Sequence, residues 1–134
     1  MPAHFRIDRS LGLVVSVGEG VVNERELLQH AEELRAHPDF HPDLRQFIDG
    51  SGITKLDVSA ACIRSDAASS RFSTDARRAI LVSSVFAFGL GRMYSMLVRG
   101  GGTAAIHVCR KEQDALDWLG IERQGDWFRD CATP

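Results

Sequence analysis

The sequence has few of the features that mark secreted or metal-binding proteins. Its 134 residues include three cysteines, Cys62, Cys109 and Cys131, at wide and irregular spacing. This pattern fits neither a disulfide framework nor a paired C-x-x-C metal site, so free thiols in a reducing compartment are expected. The first ten residues hold no basic region followed by an apolar core and a small-residue cleavage site, and therefore give no indication of a secretory signal. We expect a cytoplasmic protein.

Long hydrophobic runs and an excess of one charge are also missing. The longest nearly apolar stretch, 79–90, has about twelve residues, well short of the ~20 that a helix needs to cross a bilayer. Sixteen basic and eighteen acidic side chains give a formal charge of -2, without a Lys/Arg block or an acidic tail. Neither a transmembrane segment nor a nucleic-acid partner is therefore expected.

The composition is that of an ordinary globular domain. Hydrophobic residues make up 44% of the chain and charged residues 25%, which is too apolar for a disordered chain. A chain of this length removes roughly two-thirds of its unfolded surface from water in one core. We expect a single domain over residues 1–134, with a core at about 4–120 and an irregular tail at 121–134.

Hydrophobic periodicity predicts strands that alternate with helices. The predicted strands cover residues 4–8, 11–17, 44–49, 77–82 and 104–109. The predicted helices cover residues 24–36, 58–69, 86–98 and 111–119, with cap signals at Asn23, Asp57, Ser83, Ser84 and Gly120. The segment 50–52 is expected to end the third strand, and Gly100 to Gly102 to form a turn. The order β-β-α-β-α-β-α-β-α predicts an α/β fold with a mostly parallel sheet.

This order, with the segment DGSG (residues 49–52) after the third strand, resembles the SpoIIAA-like fold. That fold is shared by STAS-domain anti-sigma-factor antagonists and CRAL-TRIO lipid-binding domains. A bacterial group of small uncharacterised SpoIIAA-like proteins is more similar still, because the apolar strand 79–82 leads into FGLGRMY (88–94) and the pattern ends in DALDWLG (114–120). The likeness covers roughly residues 4–120.

The resemblance points to a partner-binding loop at Asp49 to Gly52. In STAS antagonists this loop reads Asp-Ser-Ser-Gly, and a kinase partner phosphorylates its first serine, which adds charge and breaks partner binding. Here Gly50 stands in place of that serine, whereas Asp49, Ser51 and Gly52 keep the rest of the pattern. Two interpretations stay open: a phosphoswitch at Ser51, or a plain turn in which the glycines supply backbone freedom.

The predicted helix 86–98 is apolar nearly all round, with Arg92 inside it. An arginine on such a surface needs a partner, which could be an anionic ligand, Asp49 at the same sheet edge, or a structural contact. The helix itself is either deeply buried or faces a second subunit or a greasy ligand. We expect a homodimer contact or a pocket wall that involves Phe88, Met93, Tyr94 and Met96.

The remaining motifs give no firm sign of a metal, a cofactor or catalysis. His30, His37 and His41 straddle a proline-broken loop and lack a companion ligand at a typical spacing, so no metal site is expected. The GEG segment at 18–20 lacks the third glycine and the lysine of a phosphate loop. No serine or cysteine stands in a G-x-S-x-G elbow. We expect no cofactor and favour a protein that is not an enzyme.

These observations favour a non-enzymatic STAS/SpoIIAA-like domain for protein interaction or regulation, acting as a homodimer. The alternative, suggested by CRAL-TRIO domains, is a carrier or sensor of a small amphiphilic or lipid-like anion in a pocket beside the 86–96 helix. A weaker third hypothesis is an enzyme whose site assembles at strand ends, with Asp49, Ser51, Ser83 and Arg92 as its polar groups. The residues expected to bind a ligand or partner are Asp49, Gly50, Ser51, Gly52, Ser83, Phe88, Arg92, Met93, Tyr94 and Met96.

Overall fold

The computed structural model describes residues 3–98 and 105–123, and that part of the chain has a mixed α/β fold with one five-stranded sheet and four helices. The strands are β1 (Ala3–Asp8), β2 (Leu13–Asn23), β3 (Arg45–Asp57), β4 (Arg78–Val82) and β5 (Ile106–Cys109). The helices are α1 (Glu24–Ala36), α2 (Ala60–Ala68), α3 (Val85–Leu97) and α4 (Glu112–Leu119). The predicted Gly100–Gly102 turn, the start of the strand predicted at 104–109 and the chain after residue 123, with Cys131, lie outside the described residues.

The strands lie side by side in chain order, β1-β2-β3-β4-β5. β1 runs antiparallel to β2, and the three remaining pairings are parallel. The turn between β1 and β2 contains Gly12 at a φ of 62°, a left-handed conformation that glycine adopts without steric cost. Within the described residues, no helix is both long enough and apolar enough to span a bilayer.

Alternate side chains of each strand point to opposite faces of the sheet. On one face, Leu13, Val15, Phe47 and Leu81 form an apolar cluster with the buried side of α4. The other face lies under α1, α2 and α3. In the described part of the chain, α4 therefore covers one face of the sheet, and α1, α2 and α3 cover the other with space between them.

Local capping explains where α1 and α3 begin. The Asn23 side chain accepts a hydrogen bond from the Glu26 N–H at 2.9 Å, and the Glu26 carboxylate accepts one from the Asn23 N–H at 3.2 Å. This capping box confirms the predicted start of α1. Ser84 caps α3 by accepting from the Ala87 N–H at 3.0 Å.

The predicted cap of the second helix was wrong. Asp57 is the last residue of β3, whereas Ser59 accepts a hydrogen bond from the Cys62 N–H at 3.1 Å and caps α2. Ser59 is held in turn by its own N–H, which donates to the Glu24 carboxylate at 2.9 Å. The cap lies at Ser59 because β3 stays paired with β2 as far as Asp57, which is further than the sequence pattern indicated.

The glycines after Asp49 do not end β3, contrary to the prediction. β3 continues to Asp57 and pairs there with the far end of β2, with register shifts after Val17 and after Gly20. A side chain at Gly18 would meet Ile53 Cδ1 at 2.8 Å, so the missing Cβ lets the two strands and Ile53 pack closely. The glycines therefore shape a two-stranded parallel extension instead of terminating a strand.

Candidate functional site

A cavity of about 180 Å³ lies between the sheet and helices α1, α2 and α3. Its floor consists of three neighbouring pairs from β3 and β4: Gln46 with Arg78, Ile48 with Ile80, and Gly50 with Val82. Because these positions are two residues apart, they line one face of the sheet in sequence along the strands. The cavity therefore passes from a polar end to an apolar end.

Aliphatic side chains enclose most of the cavity. Leu27 and Leu34 come from α1, Ile63 from α2, and Ala87 and Leu90 from α3. At the apolar end Ile53, from the extended part of β3, also lines the space. Walls of this kind suit the apolar part of a small molecule.

Arg78 is the only charged group in the floor of the described cavity, and just 4% of its surface is exposed. Its guanidinium donates from Nε to Gln46 Oε1 at 3.0 Å and from Nη2 to the Tyr94 hydroxyl at 2.8 Å. A longer bond of 3.4 Å runs from Nη1 to Ser70 Oγ. The guanidinium carbon also lies 4.2 Å from the centre of the Phe72 ring, a cation–π contact.

The acceptors around Arg78 are all neutral. None of the ion pairs formed within residues 3–98 and 105–123 includes Arg78. Asp66 is near enough to act on Arg78 electrostatically, but no ion pair joins these two described residues. A buried cation without an ion-pair partner costs several kcal/mol of solvation free energy, which hydrogen bonds to neutral groups recover only in part. The polar end of the cavity therefore favours an anion.

A chain of hydrogen bonds holds Arg78 from behind. Gln46 accepts from Arg78 and donates through Nε2 to Ser16 Oγ at 3.1 Å. Ser16 Oγ also lies 3.0 Å from His30 Nε2. Burial lowers the pKa of His30 to about 4, so the ring is neutral at pH 7, and its tautomer sets which of the two groups donates this hydrogen bond. The chain holds the Gln46 amide in place, and Gln46 in turn positions the guanidinium.

Among the described residues that line the cavity, Asp66 on α2 carries the one carboxyl group. Burial raises its pKa, while the positive charges of Arg78 and Arg35 act in the opposite direction. Neither arginine forms an ion pair with Asp66 among the ion pairs of the described chain. The carboxyl group is consequently less easily ionised than a surface aspartate, although two guanidinium groups lie near it.

The cavity opens beside an excess of positive charge. A shallower groove of about 850 Å³ shares Arg35, Phe40, Ser70 and Arg71 with it, so the two spaces adjoin at these residues. Among the described residues, three arginines (35, 71 and 78) and one carboxylate, Asp66, line the cavity, and the groove adds Glu32. Positive charge near an entrance attracts anions and raises their local concentration.

Of the residues predicted to form a site at Asp49 to Gly52, Asp49 and Ser51 contact each other, and Gly50 alone lines the described cavity. Asp49 is buried, and its Oδ1 accepts from the Ser51 N–H at 2.9 Å and from the Ser51 hydroxyl at 2.5 Å. Gly50 instead lies in the cavity floor, whereas Ser51 and Gly52 are exposed on the extended part of β3. The predicted loop is strand, and its side chains face different surroundings.

Of the partners considered for Arg92, the described structure does not pair it with Asp49. Arg92 is exposed on α3, while Asp49 is buried and bonded to Ser51, and no ion pair joins the two described residues. The helix turns Arg92 away from the sheet and turns Tyr94 inward to Arg78. Of the other predicted residues, Phe88 and Met93 pack partly buried near the core, and Ser83 and Met96 are exposed.

Sequence reasoning missed the polar end of the cavity, namely Gln46, Asp66 and Arg78. A signal was present, because Arg78 begins a strand, RAILV, that is buried at every position. An arginine in such a strand must find polar partners inside the fold. Its partners come from β3, α3 and the segment after α2, and only the tertiary structure brings these together.

Comparison with known proteins identifies the fold of this chain but assigns it no function. No family model and no curated protein matches the chain. A search of solved structures finds an uncharacterised protein of the DUF3478 family from Shewanella loihica PV-4, described as having a SpoIIAA-like fold. The TM-score is 0.56 at 18% sequence identity, and the match covers 87% of this chain and 93% of that one. Identity at this level shows the fold alone, and the fold of this chain is SpoIIAA-like, as the sequence resemblance implied.

Proposed function

We propose that this chain is a non-enzymatic binding domain that holds a small amphiphilic anion in the cavity beside α3. In this proposal the charged end of the ligand contacts Arg78, and the apolar end lies between the sheet and α3. The observation that carries the proposal is a buried guanidinium with neutral hydrogen-bond partners at the polar end of an otherwise apolar cavity.

The hydrogen-bond capacity of Arg78 supports this proposal. A guanidinium has five N–H donors, and the three hydrogen bonds described for Arg78 use one on each nitrogen. One N–H therefore stays available on each terminal nitrogen within the described structure. Two such donors match the two oxygens of a carboxylate, and charge-assisted bonds of this kind are roughly twice as strong as neutral ones.

Native mass spectrometry of protein purified from its own host tests this function. We expect mass beyond that of the polypeptide under gentle conditions, lost on denaturation and recovered as a small organic anion. Ala87→Leu should abolish that mass, because Ala87 is buried in the cavity wall. Ala61→Leu is the matched control, since Ala61 is exposed on α2. Bare polypeptide, together with no binding of any added small anion, contradicts the proposal.

Protein interaction through the outer face of α3 is a second candidate function. Val85, Phe86 and Met96 are 73%, 62% and 55% exposed, which is high for large apolar side chains. Val85, Gly89, Arg92 and Met96 follow one another at helical spacing on this face. Exposed apolar surface of this kind favours a second subunit or a partner.

Sedimentation velocity distinguishes this second function from ligand binding. If α3 forms a homodimer, Met96→Glu should shift the sample to monomer, while Ala87→Leu leaves the dimer intact. A wild-type chain that sediments as a monomer at all concentrations and retains no partner argues against it. A phosphoswitch at Ser51 belongs to the same hypothesis and is checked by phosphopeptide mapping of the host protein.

We also propose a single cytoplasmic domain. Cys62 and Cys109 are free and buried, and burial raises the pKa of both thiols. Thiols of this kind are mainly protonated and react slowly. Free thiols are consistent with a reducing compartment such as the cytoplasm. Fractionation of host cells, followed by detection of the protein, tests the location.

A further inference from the structure

We infer that the ligand is a compact monocarboxylate whose apolar part is about the size of one aromatic ring, and not a long-chain lipid. Benzoate and phenylacetate represent this class. The inference rests on the proposed function and adds the size, charge and orientation of the ligand.

The volume of the cavity sets the size of the ligand. The space measures about 180 Å³, whereas drug-sized ligand sites span about 300–1,000 Å³. An apolar cavity of about 150 Å³ holds a benzene molecule. The cavity therefore accommodates one ring with a small substituent, and a long acyl chain does not fit inside it.

An aliphatic side chain bounds the apolar end of the cavity. Ile53 lines that end and packs against the backbone at Gly50, where an added Cβ would meet Ile53 Cδ1 at 3.3 Å and the Leu81 carbonyl oxygen at 3.1 Å. The absence of a side chain at Gly50 leaves this floor position to Ile53 and the ligand.

The charges around the head position favour a single negative charge. Arg78 is the only arginine in the described floor, and its two remaining N–H groups suit one carboxylate. Asp66 faces the same cavity, and its negative charge would repel a second charge on the ligand. Arg35 and Arg71 lie where the cavity meets the groove, so they attract the anion on entry.

Stacking around Arg78 orients the head of the ligand. The guanidinium carbon lies 4.2 Å from the Phe72 ring centre and 5.3 Å from that of Tyr94. The N–H donors of a guanidinium point outward in its plane, so a carboxylate that accepts from the remaining ones approaches at the guanidinium edge. The rest of the ligand then extends over the Ile48 and Ile80 pair, towards Val82.

Isothermal titration calorimetry with four probes tests the inference: benzoate, benzyl alcohol, phenyl phosphate and dodecanoate, each added to several millimolar at pH 7. We expect benzoate to bind at least about tenfold more tightly than benzyl alcohol, because only benzoate forms the charge-assisted bonds. Phenyl phosphate should bind more weakly than benzoate, since its second charge faces Asp66. Dodecanoate should bind more weakly still.

Two variants show whether the measured binding uses the cavity. Arg78→Met should reduce benzoate affinity by about tenfold or more, with Arg64→Met, an exposed residue of α2, as the control. Because Arg78→Met removes buried hydrogen bonds and could disturb folding, Ala87→Leu provides a second test that leaves those bonds in place. Circular dichroism melting curves confirm that each variant is folded before titration.

The outcomes separate this inference from the proposed function. Dodecanoate binding more tightly than benzoate, with loss of binding in Ala87→Leu, overturns the compact-ligand inference but keeps the proposed function. Equal affinity for benzoate and benzyl alcohol overturns the role of Arg78 in selecting a carboxylate. If no probe binds and the host protein carries no ligand, the proposed function itself fails.

Discussion

Acid should destabilise this fold through His30. Burial, the largest cause, lowers the pKa of the His30 imidazole from 6.5 to about 4, and Glu33 and His4 act on it with opposite signs. A group whose pKa is lowered by folding contributes stability that is complete above its unfolded pKa and is lost as pH falls toward its folded pKa. Between pH 8 and pH 5, pKa values of 6.5 and about 4 correspond to a loss of about 2 kcal/mol in unfolding free energy.

Urea unfolding at pH 8 and at pH 5 measures this loss. His30→Gln removes the titrating ring, so it should reduce the pH dependence of the unfolding free energy by about 2 kcal/mol. His41→Gln is the control, because the His41 side chain is 67% exposed and should change little. The reasoning is refuted if His30→Gln keeps the wild-type pH dependence, or if NMR shows the His30 ring titrating near pH 6.5.

Five further substitutions test other parts of the structure by thermal or urea unfolding. Gly50→Ala should lower the unfolding free energy by about 1–3 kcal/mol, because the new Cβ would meet the Leu81 carbonyl oxygen at 3.1 Å. Gly89→Ala, which has open space around it, should instead stabilise α3 by up to about 1 kcal/mol. Equal effects of the two substitutions would contradict the packing at Gly50. Asp66→Asn should raise the melting temperature at pH 7. Burial raises the pKa of Asp66, so this carboxyl group lowers the stability of the folded protein as pH rises from the unfolded pKa through the folded one. A lower melting temperature would mean that the attraction of Asp66 to Arg78 and Arg35 dominates. Ser59→Ala should lower the unfolding free energy by about 0.5–2 kcal/mol, and Asp57→Ala by much less, because Ser59 caps α2. A larger loss in Asp57→Ala would instead support Asp57 as the helix cap.

Elements with local signals could be predicted from the sequence. The helix α1 was predicted at 24–36 and observed as Glu24–Ala36, because its capping box, formed by Asn23 and Glu26, lies within four neighbouring residues. The C-terminal cap of α4 was predicted for the same reason, and Gly120 has the left-handed conformation, with φ 69°, that such caps use. These signals do not depend on distant parts of the chain.

Features that depend on strand pairing could not be predicted in this way. The glycines near Asp49 were interpreted as a strand end, but β2 supplies hydrogen-bond partners as far as Asp57, and a pairing strand overrides local propensity. Arg92 was predicted as a site residue because its helix is apolar. The helix places Arg92 at the protein surface and Tyr94 in the interior. The site predicted from sequence therefore included Gly50 and Tyr94 but not Arg78.

The polar end of the cavity depends on parallel register. Gln46 and Arg78 are neighbours because β3 and β4 pair with Gln46 opposite Arg78, although 32 residues separate them in the chain. A shift of β4 by one residue would turn Arg78 to the face covered by α4 and away from Gln46. The sequence contains both residues but not the register that joins them.

An NMR titration that follows the side-chain Nε–H signal of Arg78 tests the central claim most directly. Benzoate added at pH 7 should shift this signal and the signals of Tyr94 and Ala87 together, with one saturation curve, because all three residues line the cavity. The exposed Arg64 and Arg92 should not follow that curve. Shifts confined to exposed arginines, or an Arg78 signal that stays constant while benzoate binds elsewhere, would contradict a ligand site at Arg78.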